Sequence, residues 1–600
     1  MAGRPKDQEV IRLAVLLLVM MSVLGAVVYR VWNLQVVEGH QYQAAIEHQS
    51  IRKIRIPGWR GRMFDRNGIC LADNRPSHCI AIYPSEEGIR QRSFSKTADR
   101  VDALIGELAE ALQIERQVSR ADIGRHVREK RMLPLYAWQD IDDQAIARFA
   151  ERVGYIPGVD YDTKAIRKYP YDDMACHILG HVSTGLRGRE EEGEYDYYQN
   201  EMEGRSGLEK IYNDQLRGEA GGQLLRVDVS SYRHSVISEQ GPQNGSDIQL
   251  TLDTRVQLLT ERVLDQELGS ICIVDPNNGH VLGMSTFPRF DLNQVRYIYG
   301  DLLKDPRKPL INRAIYEYYA PGSTFKPVVA MAALMSGNIP ATQVYYCPGY
   351  IELGGSKRYC AGHVSHGTIN MRQAIERSCN VYFWHVGMEA GYDYIYHMAS
   401  ALGLGQRTGI ELGQNFEKPG ILPDSAWKQK HHGDRWRDGD TANVSIGQGY
   451  LNVTTLQMAM LTAALANGGT LYKPKLVAGM RSPGEEAFVY TEPEVANNLQ
   501  WSDWAVDIVR GGMEAVVMAE RGSGRNARLP GLRMAGKTGT AQYGRKGNEK
   551  YRSWMIAYAP VENPRFAVSL VIAEGGGSGV DAVPRMKRIM EGLFMGGDGT

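Results

Sequence analysis

The spacing of apolar and polar positions divides the chain into stretches of different kinds. Leu13 to Tyr29 (LAVLLLVMMSVLGAVVY) carries no charge, and at ~1.5 Å per residue such a run just spans a bilayer core as one helix. From there to about residue 245 short strand-like runs such as CIAIYP mix with charged helical stretches such as RVDALIGELAEALQI. In RGRMFDRNGICLADN an Asp-Arg-Asn-Gly turn lies between apolar positions and predicts a hairpin. GRSGLEKIYNDQLRG reads as a short helix opened by a capping box of Ser206 and Glu209 and ending near Gly218. A boundary falls near residue 245, where QNGSD precedes IQLTLDTRVQLLTERVLDQEL, a strand leading into a long amphipathic helix. SICIVDPNNGHVLGMSTFP then predicts two strands joined by an Asn-Asn-Gly turn, and VVAMAALMSG has the composition of a buried helix. The chain closes with strand-like RSWMIAYAP and RFAVSLVIAEGG and a helix around VPRMKRIMEGLF. Strands at both ends with helices between them predict an α/β layered domain whose first and last strands are neighbours in one sheet.

Charge sharpens the picture. Arg4, Lys6 and Arg12 precede the apolar run, whereas only Arg30 follows before residue 50. The positive-inside rule therefore keeps the short tail in the cytoplasm and exports everything beyond the helix, with Trp32 at the interface. A signal peptide is the competing reading, but the run lacks a small-x-small cleavage site and exceeds the usual ~7 to 15 apolar residues. A chain of 600 residues needs more than one core. The expected segments are a cytoplasmic tail (1–12), a transmembrane anchor (13–33), an α+β spacer or interaction domain (34–244) and a larger domain (245–600). Lys plus Arg (69) balance Asp plus Glu (69) with no basic block, which argues against a nucleic-acid partner.

The chemistry gathers in the larger domain. In PGSTFKP, Ser323 and Lys326 stand three apart and share one face of a helical turn. A serine hydroxyl needs a base to attack at neutral pH, and a lysine serves only if burial or a second cation lowers its pKa. The bland alternative is an N-cap serine beside a solvated lysine. Two motifs follow in order: Ser378-Cys379-Asn380 in ERSCNVYFW, and Lys537-Thr538-Gly539-Thr540 in AGKTGTAQY. Each is weak alone, S-x-N being usually a capped loop and K-T-G a strand-entry turn. The ordered set is far more specific, and Lys537 offers the second cation.

With these motifs the sequence resembles the penicillin-binding proteins, specifically the bitopic class B D,D-transpeptidases of bacterial peptidoglycan synthesis. The resemblance extends to RGRMFDRNG, GRSGLEKIYNDQLRG, IVDPNNGHVLGM, SIGQGYLNVTTLQMAMLTAALANGG and AEGGGSG. Length, single anchor, the Cys-Pro-Gly element at 347 and Ser-Cys-Asn look most like the elongation-specific branch, with the division-specific penicillin-binding protein 3 branch the alternative. The resemblance implies a penicillin-binding/β-lactamase-like transpeptidase fold on an elongated pedestal, periplasmic and held in the inner membrane. It implies that Ser323 attacks the D-Ala-D-Ala carbonyl, Lys326 takes its proton, Ser378 relays a proton to the leaving D-Ala and Asn380 binds the substrate amide. Lys537, Thr538 and Thr540, with Gly539 between them, would face the terminal carboxylate, and the backbone N–H groups of Ser323 and Thr540 would form the oxyanion hole. The implied partners are stem peptides, β-lactams, a SEDS-family glycosyltransferase and elongation scaffold proteins. A β-lactamase or penicillin sensor of the same fold is opposed by the single anchor. A scaffold that has lost the reaction is opposed by the intact motifs.

One departure concerns the cysteine between two catalytic side chains. The chain has seven cysteines (Cys70, Cys79, Cys176, Cys272, Cys347, Cys360, Cys379), an odd count in an exported setting. Cys347, Cys360, His366 and Cys379 make a ligand set that tetrahedral zinc prefers, though not at a standard finger spacing. Some elongation-type relatives resemble this in having zinc beside the second motif, which makes a structural zinc at the Ser-Cys-Asn loop one reading, with His363 as a fallback ligand. The other is a Cys347–Cys360 disulfide, with Cys379 a buried thiol and His366 at the surface. The chemistry itself needs no cofactor.

Overall fold

The structure, a computed structural model, describes residues 6–38, 51–86, 88–130, 133–153, 156–185, 197–198, 201–227, 233–545 and 548–596. It opens with the helix Lys6–Trp32, whose apolar side chains are exposed throughout. The span Val10–Val37 is long and apolar enough to cross a membrane.

The Asp-Arg-Asn-Gly hairpin forms as its turn chemistry predicts, Met63–Phe64 pairing antiparallel with the start of Cys70–Ile82. Asp65 closes the turn, its Oδ1 accepting the N–H groups of Asn67 and Ile69 at 2.8 Å each. Its Oδ2 accepts from the Thr254 N–H at 3.0 Å and hydroxyl at 2.8 Å, fastening the hairpin to the helix Thr254–Leu264. Cys70–Ile82 then pairs antiparallel with Leu135–Gln139 and Val159–Lys168. The apolar stripe of the helix Phe94–Leu112 (Val101, Leu104, Ile105, Leu108, Leu112) shares a core with Ile80, Ile82 and Trp138 of this sheet.

Two features depart from the sequence reading. Asp247–Leu250, the first strand past the expected boundary, stays out of the larger domain's main sheet. It pairs parallel with Met63–Phe64 and antiparallel with Val477–Arg481, so one sheet runs across the boundary. The capping box also does not form. Gly207–Ile211 is helical, but Ser206 makes no cap bond and its hydroxyl lies 2.8 Å from His181 Nδ1. Glu209 is wholly buried and takes Arg60 Nε at 2.5 Å and Arg167 Nε at 2.7 Å. A paired buried carboxylate outcompetes a local cap because two guanidiniums satisfy its oxygens away from water.

The larger domain is built on five antiparallel strands in the order Val281–Phe287, Gly269–Val274, Phe566–Gly575, Asn548–Ala559, Ala535–Arg545. The Asn-Asn-Gly turn joins the first two, and Gly269–Val274 lies beside the last strand, Cys272 opposite Ser569. Every residue of Gly269–Val274 is buried, so both faces of the sheet are covered. The helix Thr455–Asn467 packs against the sheet with twelve of its thirteen residues buried. The helix Lys326–Ser336 is apolar all round and buried from Lys326 to Leu334. Pro327 suits its first turn and Gly337, at φ +75°, ends it. Helices Thr254–Leu264 and Ala582–Phe594 pack on each other through Leu259 and Gly592.

Candidate active site

Ser323 lies in a single 3-10 turn, Gly322–Phe325, that runs straight into the Lys326 helix. The strand Ala535–Arg545 comes flush against this turn. A Cβ at Gly539 would stand 2.8 Å from Pro321 O and 2.9 Å from Thr324 Cγ2, so only glycine admits the contact. On the other side Gly322 N–H donates to Gly447 O at 2.8 Å, and Trp554 Nε1 donates to Ala320 O at 3.1 Å. The nucleophile turn is thereby clamped between a strand and a loop.

The second motif arrives from two short helices. Met371–Glu376 opens with a capping box of Asn370 and Gln373, and Asn380–Ala390 follows with Cys379 as its N-cap, the sulfur accepting Tyr382 N–H at 3.4 Å. Between them Ser378 takes φ +57°, a left-handed conformation that a non-glycine residue seldom adopts and that recurs at functional sites. The kink separates the side chains: Ser378 and Asn380 meet Lys326, whereas Cys379 joins the cysteine cluster.

The three motifs converge on the lysines. Lys326 Nζ donates to Ser378 O at 2.8 Å, Asn380 Oδ1 at 2.8 Å and Ser378 Oγ at 3.3 Å. Lys537 Nζ donates to the same Ser378 Oγ at 2.9 Å and to Thr538 O at 3.0 Å. Three acceptors saturate the Lys326 ammonium, so the expected Ser323–Lys326 hydrogen bond is absent. Ser323 is half-buried, and its hydroxyl has no partner among the described residues. Both amines are fully buried, with no carboxylate at ion-pair distance among the described residues. Burial lowers the Lys326 pKa to about 8, the nearby Cys379 and Cys360 opposing. Burial and then Lys326 push Lys537 well below the ordinary lysine range. Desolvation, one of the two routes the sequence allowed, thus leads in depressing the Lys326 amine, ahead of a second cation. Thr538 Oγ1 lies 2.8 Å from Ser523 Oγ, and Thr540 Oγ1 donates to Ser578 Oγ and accepts Ser578 N–H, both at 3.1 Å. Ser523 escaped the sequence reading; its only signal is the Gly-Ser-Gly run at 522–524.

Behind the second motif Cys347, Cys360, His366 and Cys379 bring one ligand atom each to within 4.8 Å of one another. His366 Nδ1 is 3.5 Å from Cys347 Sγ and 3.6 Å from Cys360 Sγ, and Cys360 and Cys379 sulfurs are 3.9 Å apart. Tetrahedral zinc with ordinary Zn–S and Zn–N bonds has ligand edges of roughly 3.6 to 3.8 Å, so the donor set fits. All seven cysteines are free thiols. His363 lies outside the cluster, exposed and stacked on Tyr359 at 4.5 Å. Sharing a hydrogen bond with Cys379, and accepting others from His366 and the Asn380 N–H, holds Cys360 well below the ordinary thiol range.

Comparison with known proteins agrees with this geometry. Residues 269–591 match the penicillin-binding protein transpeptidase domain and residues 55–250 the penicillin-binding protein dimerisation domain. The peptidoglycan D,D-transpeptidase MrdA of Salmonella typhimurium is 32% identical over 95% of this chain and 93% of its own length. That of Escherichia coli K12 is 30% identical over 96% and 93%. Among solved structures, penicillin-binding protein 2 of Helicobacter pylori in complex with MreC superposes with a TM-score of 0.72 at 25% identity, covering 91% of this chain and 99% of that one. A chain of a peptidoglycan synthase complex gives 0.70 at 27% identity, covering 97% and 98%. The chain belongs to the penicillin-binding protein transpeptidase family. Within it the chain is of the class B, penicillin-binding protein 2 type, a serine D,D-transpeptidase of peptidoglycan.

Proposed function

We propose that Ser323 is the acylated nucleophile of a crosslinking reaction on D-Ala-D-Ala stem peptides. The observation that carries this reading is the fully buried Lys326, which has no carboxylate partner among the described residues and is aimed at the second motif. As the neutral amine, Lys326 accepts the Ser323 Oγ proton while Oγ bonds to the substrate carbonyl carbon. The backbone N–H groups of Ser323 and Thr540 stabilise the oxyanion. Ser378 Oγ, which accepts from both lysines, keeps its own hydrogen to pass to the departing D-Ala nitrogen, and a lysine N–H replaces it. Asn380 commits its Oδ1 to Lys326 and leaves its amide N–H groups for the substrate backbone. Lys537, Thr538 and Thr540 draw in the terminal carboxylate. An amine from a second stem peptide then attacks the ester carbon, and Ser323 leaves with its proton restored.

Cys347, Cys360, His366 and Cys379 would hold one structural zinc ion; bound there it fixes Cys379, and with it the flanking Ser378 and Asn380. The tail (1–12) lies in the cytoplasm, the anchor (13–33) crosses the inner membrane, and the pedestal (34–244) presents the catalytic domain (245–600) to the periplasm. The relatives solved with MreC and within a synthase complex support a scaffold protein and a SEDS-family glycosyltransferase as partners.

Labelling with a fluorescent penicillin tests the reading. The wild-type chain takes up one stable adduct, and Ser323→Ala loses it, the acylation rate falling by about 10⁴-fold or more. Rapid release of the label would point to a β-lactamase, and no adduct at all to a scaffold.

A further inference from the structure

A second cationic site lies where the N-terminal region meets the segment 292–297. A cavity of about 310 Å³ opens there, with Arg75, Arg167, Lys168 and Arg296 among its walls and Asp140 the one carboxylate that lines it among the described residues. That carboxylate is taken, since Arg75 forms a two-pronged ion pair with it. Lys168 reaches an acid outside the cavity, Asp172, at 3.7 Å. Arg296 stacks on Tyr297, its guanidinium carbon 4.4 Å from the ring centre, and has no carboxylate at ion-pair distance among the described residues.

Arg167 is the deciding residue. Its side chain is 1% exposed. Nε donates to Glu209 Oε1 at 2.7 Å, and Nη1 donates to Gly61 O at 2.7 Å and Asn74 Oδ1 at 3.4 Å. Nη2 is buried with no hydrogen-bond partner among the described residues. An unsatisfied buried N–H on a charged group is costly and seldom left so without a reason. Nor is the charge neutralised by a further carboxylate among the described residues. Arg60 and Arg167 share the single carboxylate of Glu209, and the third group on it, Tyr169, is a neutral phenol. One positive charge remains over, on the residue that faces the cavity.

We infer that this cavity is a binding site for a small organic anion, its carboxylate or phosphate oxygens accepting from Arg167 Nη2 with Lys168 and Arg296 closing over it. The volume sits at the lower end of ligand pockets and suits a body the size of a dipeptide or a sugar phosphate. Val182 and Leu292 give that body an apolar wall. The lining comes from both sides of the junction, the strand Val159–Lys168 and the segment 292–297, so a bound anion bridges them.

The test is an equilibrium titration of the full chain in detergent with two probes, inorganic phosphate and a short acidic peptide. Saturable one-to-one binding of either supports the site, and which probe binds tells phosphate from carboxylate. The double variant Lys168→Ala/Arg296→Ala leaves the buried hub intact and should loosen binding by about tenfold or more. Arg167→Lys keeps the charge but cannot supply Nη2, and should loosen it as well, with folding checked by penicillin labelling at Ser323. No saturable binding of either probe at millimolar concentration, or an unchanged dissociation constant in the double variant, would overturn the inference.

Discussion

Two buried clusters of charge in this molecule have opposite designs. At Glu209 two guanidiniums close on one carboxylate, burial alone would raise that carboxyl, and Arg167 and Arg60 outweigh it to hold the group ionised. At Ser378 two lysine amines share one hydroxyl, with no carboxylate beside them among the described residues. The first arrangement ties both of its cations to a carboxylate and becomes a fixed joint. The second leaves its cations uncompensated, and the penalty appears as amines that give up protons readily. Withholding a counter-ion turns a buried lysine from a structural group into a base.

The comparison breaks most visibly on substitution. Lys326→Met should lower the rate of penicillin acylation by about 10² to 10⁴-fold while leaving the unfolding midpoint nearly unchanged. An apolar side chain of similar size replaces a buried cation that has no counter-ion among the described residues, so the base is lost at little electrostatic cost. Glu209→Gln should do the reverse. Unpairing two buried guanidiniums destabilises the fold by about 3 to 5 kcal/mol, read by chemical denaturation, while acylation per folded molecule is preserved. A large fall in acylation with Glu209→Gln under folding conditions would erase the distinction.

Smaller effects sharpen it. Chelation, or Cys379→Ser, should release one zinc ion per chain by elemental analysis and slow acylation by about 10 to 100-fold, as loss of a supporting shell does. Zinc-free protein with unaltered acylation would confine the cluster to a packing role. The pH profile is the finest probe. Lys326 must be neutral to accept the Ser323 proton, so acylation should climb about tenfold per unit below a pKa of about 8 and level off above it. Glu209→Gln should leave that midpoint where it is, since the two clusters share no partner.

Much of this was legible in the chain, for a physical reason: local order encodes local pairing. The Asp-Arg-Asn-Gly and Asn-Asn-Gly turns, the buried helix after Ser323 and the three motifs are short-range patterns, and the structure realises them. What eluded the sequence depends on distant residues. Ser206 and Glu209 have the spacing of a capping box, yet Glu209 answers to Arg60 and Arg167, whose positions relative to it no periodicity reveals. Ser523 meets Thr538 only because the turn at 522–524 folds back onto the strand. The cysteine in Ser-Cys-Asn looked anomalous because spacing alone hides the left-handed turn at Ser378, which sends the sulfur away from its neighbours. Cys347, Cys360, His366 and Cys379, the ligand set drawn from the sequence, come within 4.8 Å of one another, whereas His363 lies outside the cluster.

The sheet that runs through Met63–Phe64, Asp247–Leu250 and Val477–Arg481 has a mechanical meaning. A flexible joint between the two halves would let the catalytic serine swing when the membrane end is tugged. Strands bonded edge to edge cannot tilt apart without shearing their ladder of backbone hydrogen bonds. Tension entering at the N-terminal hairpin is therefore carried across the boundary as shear on that ladder, like load on a beam.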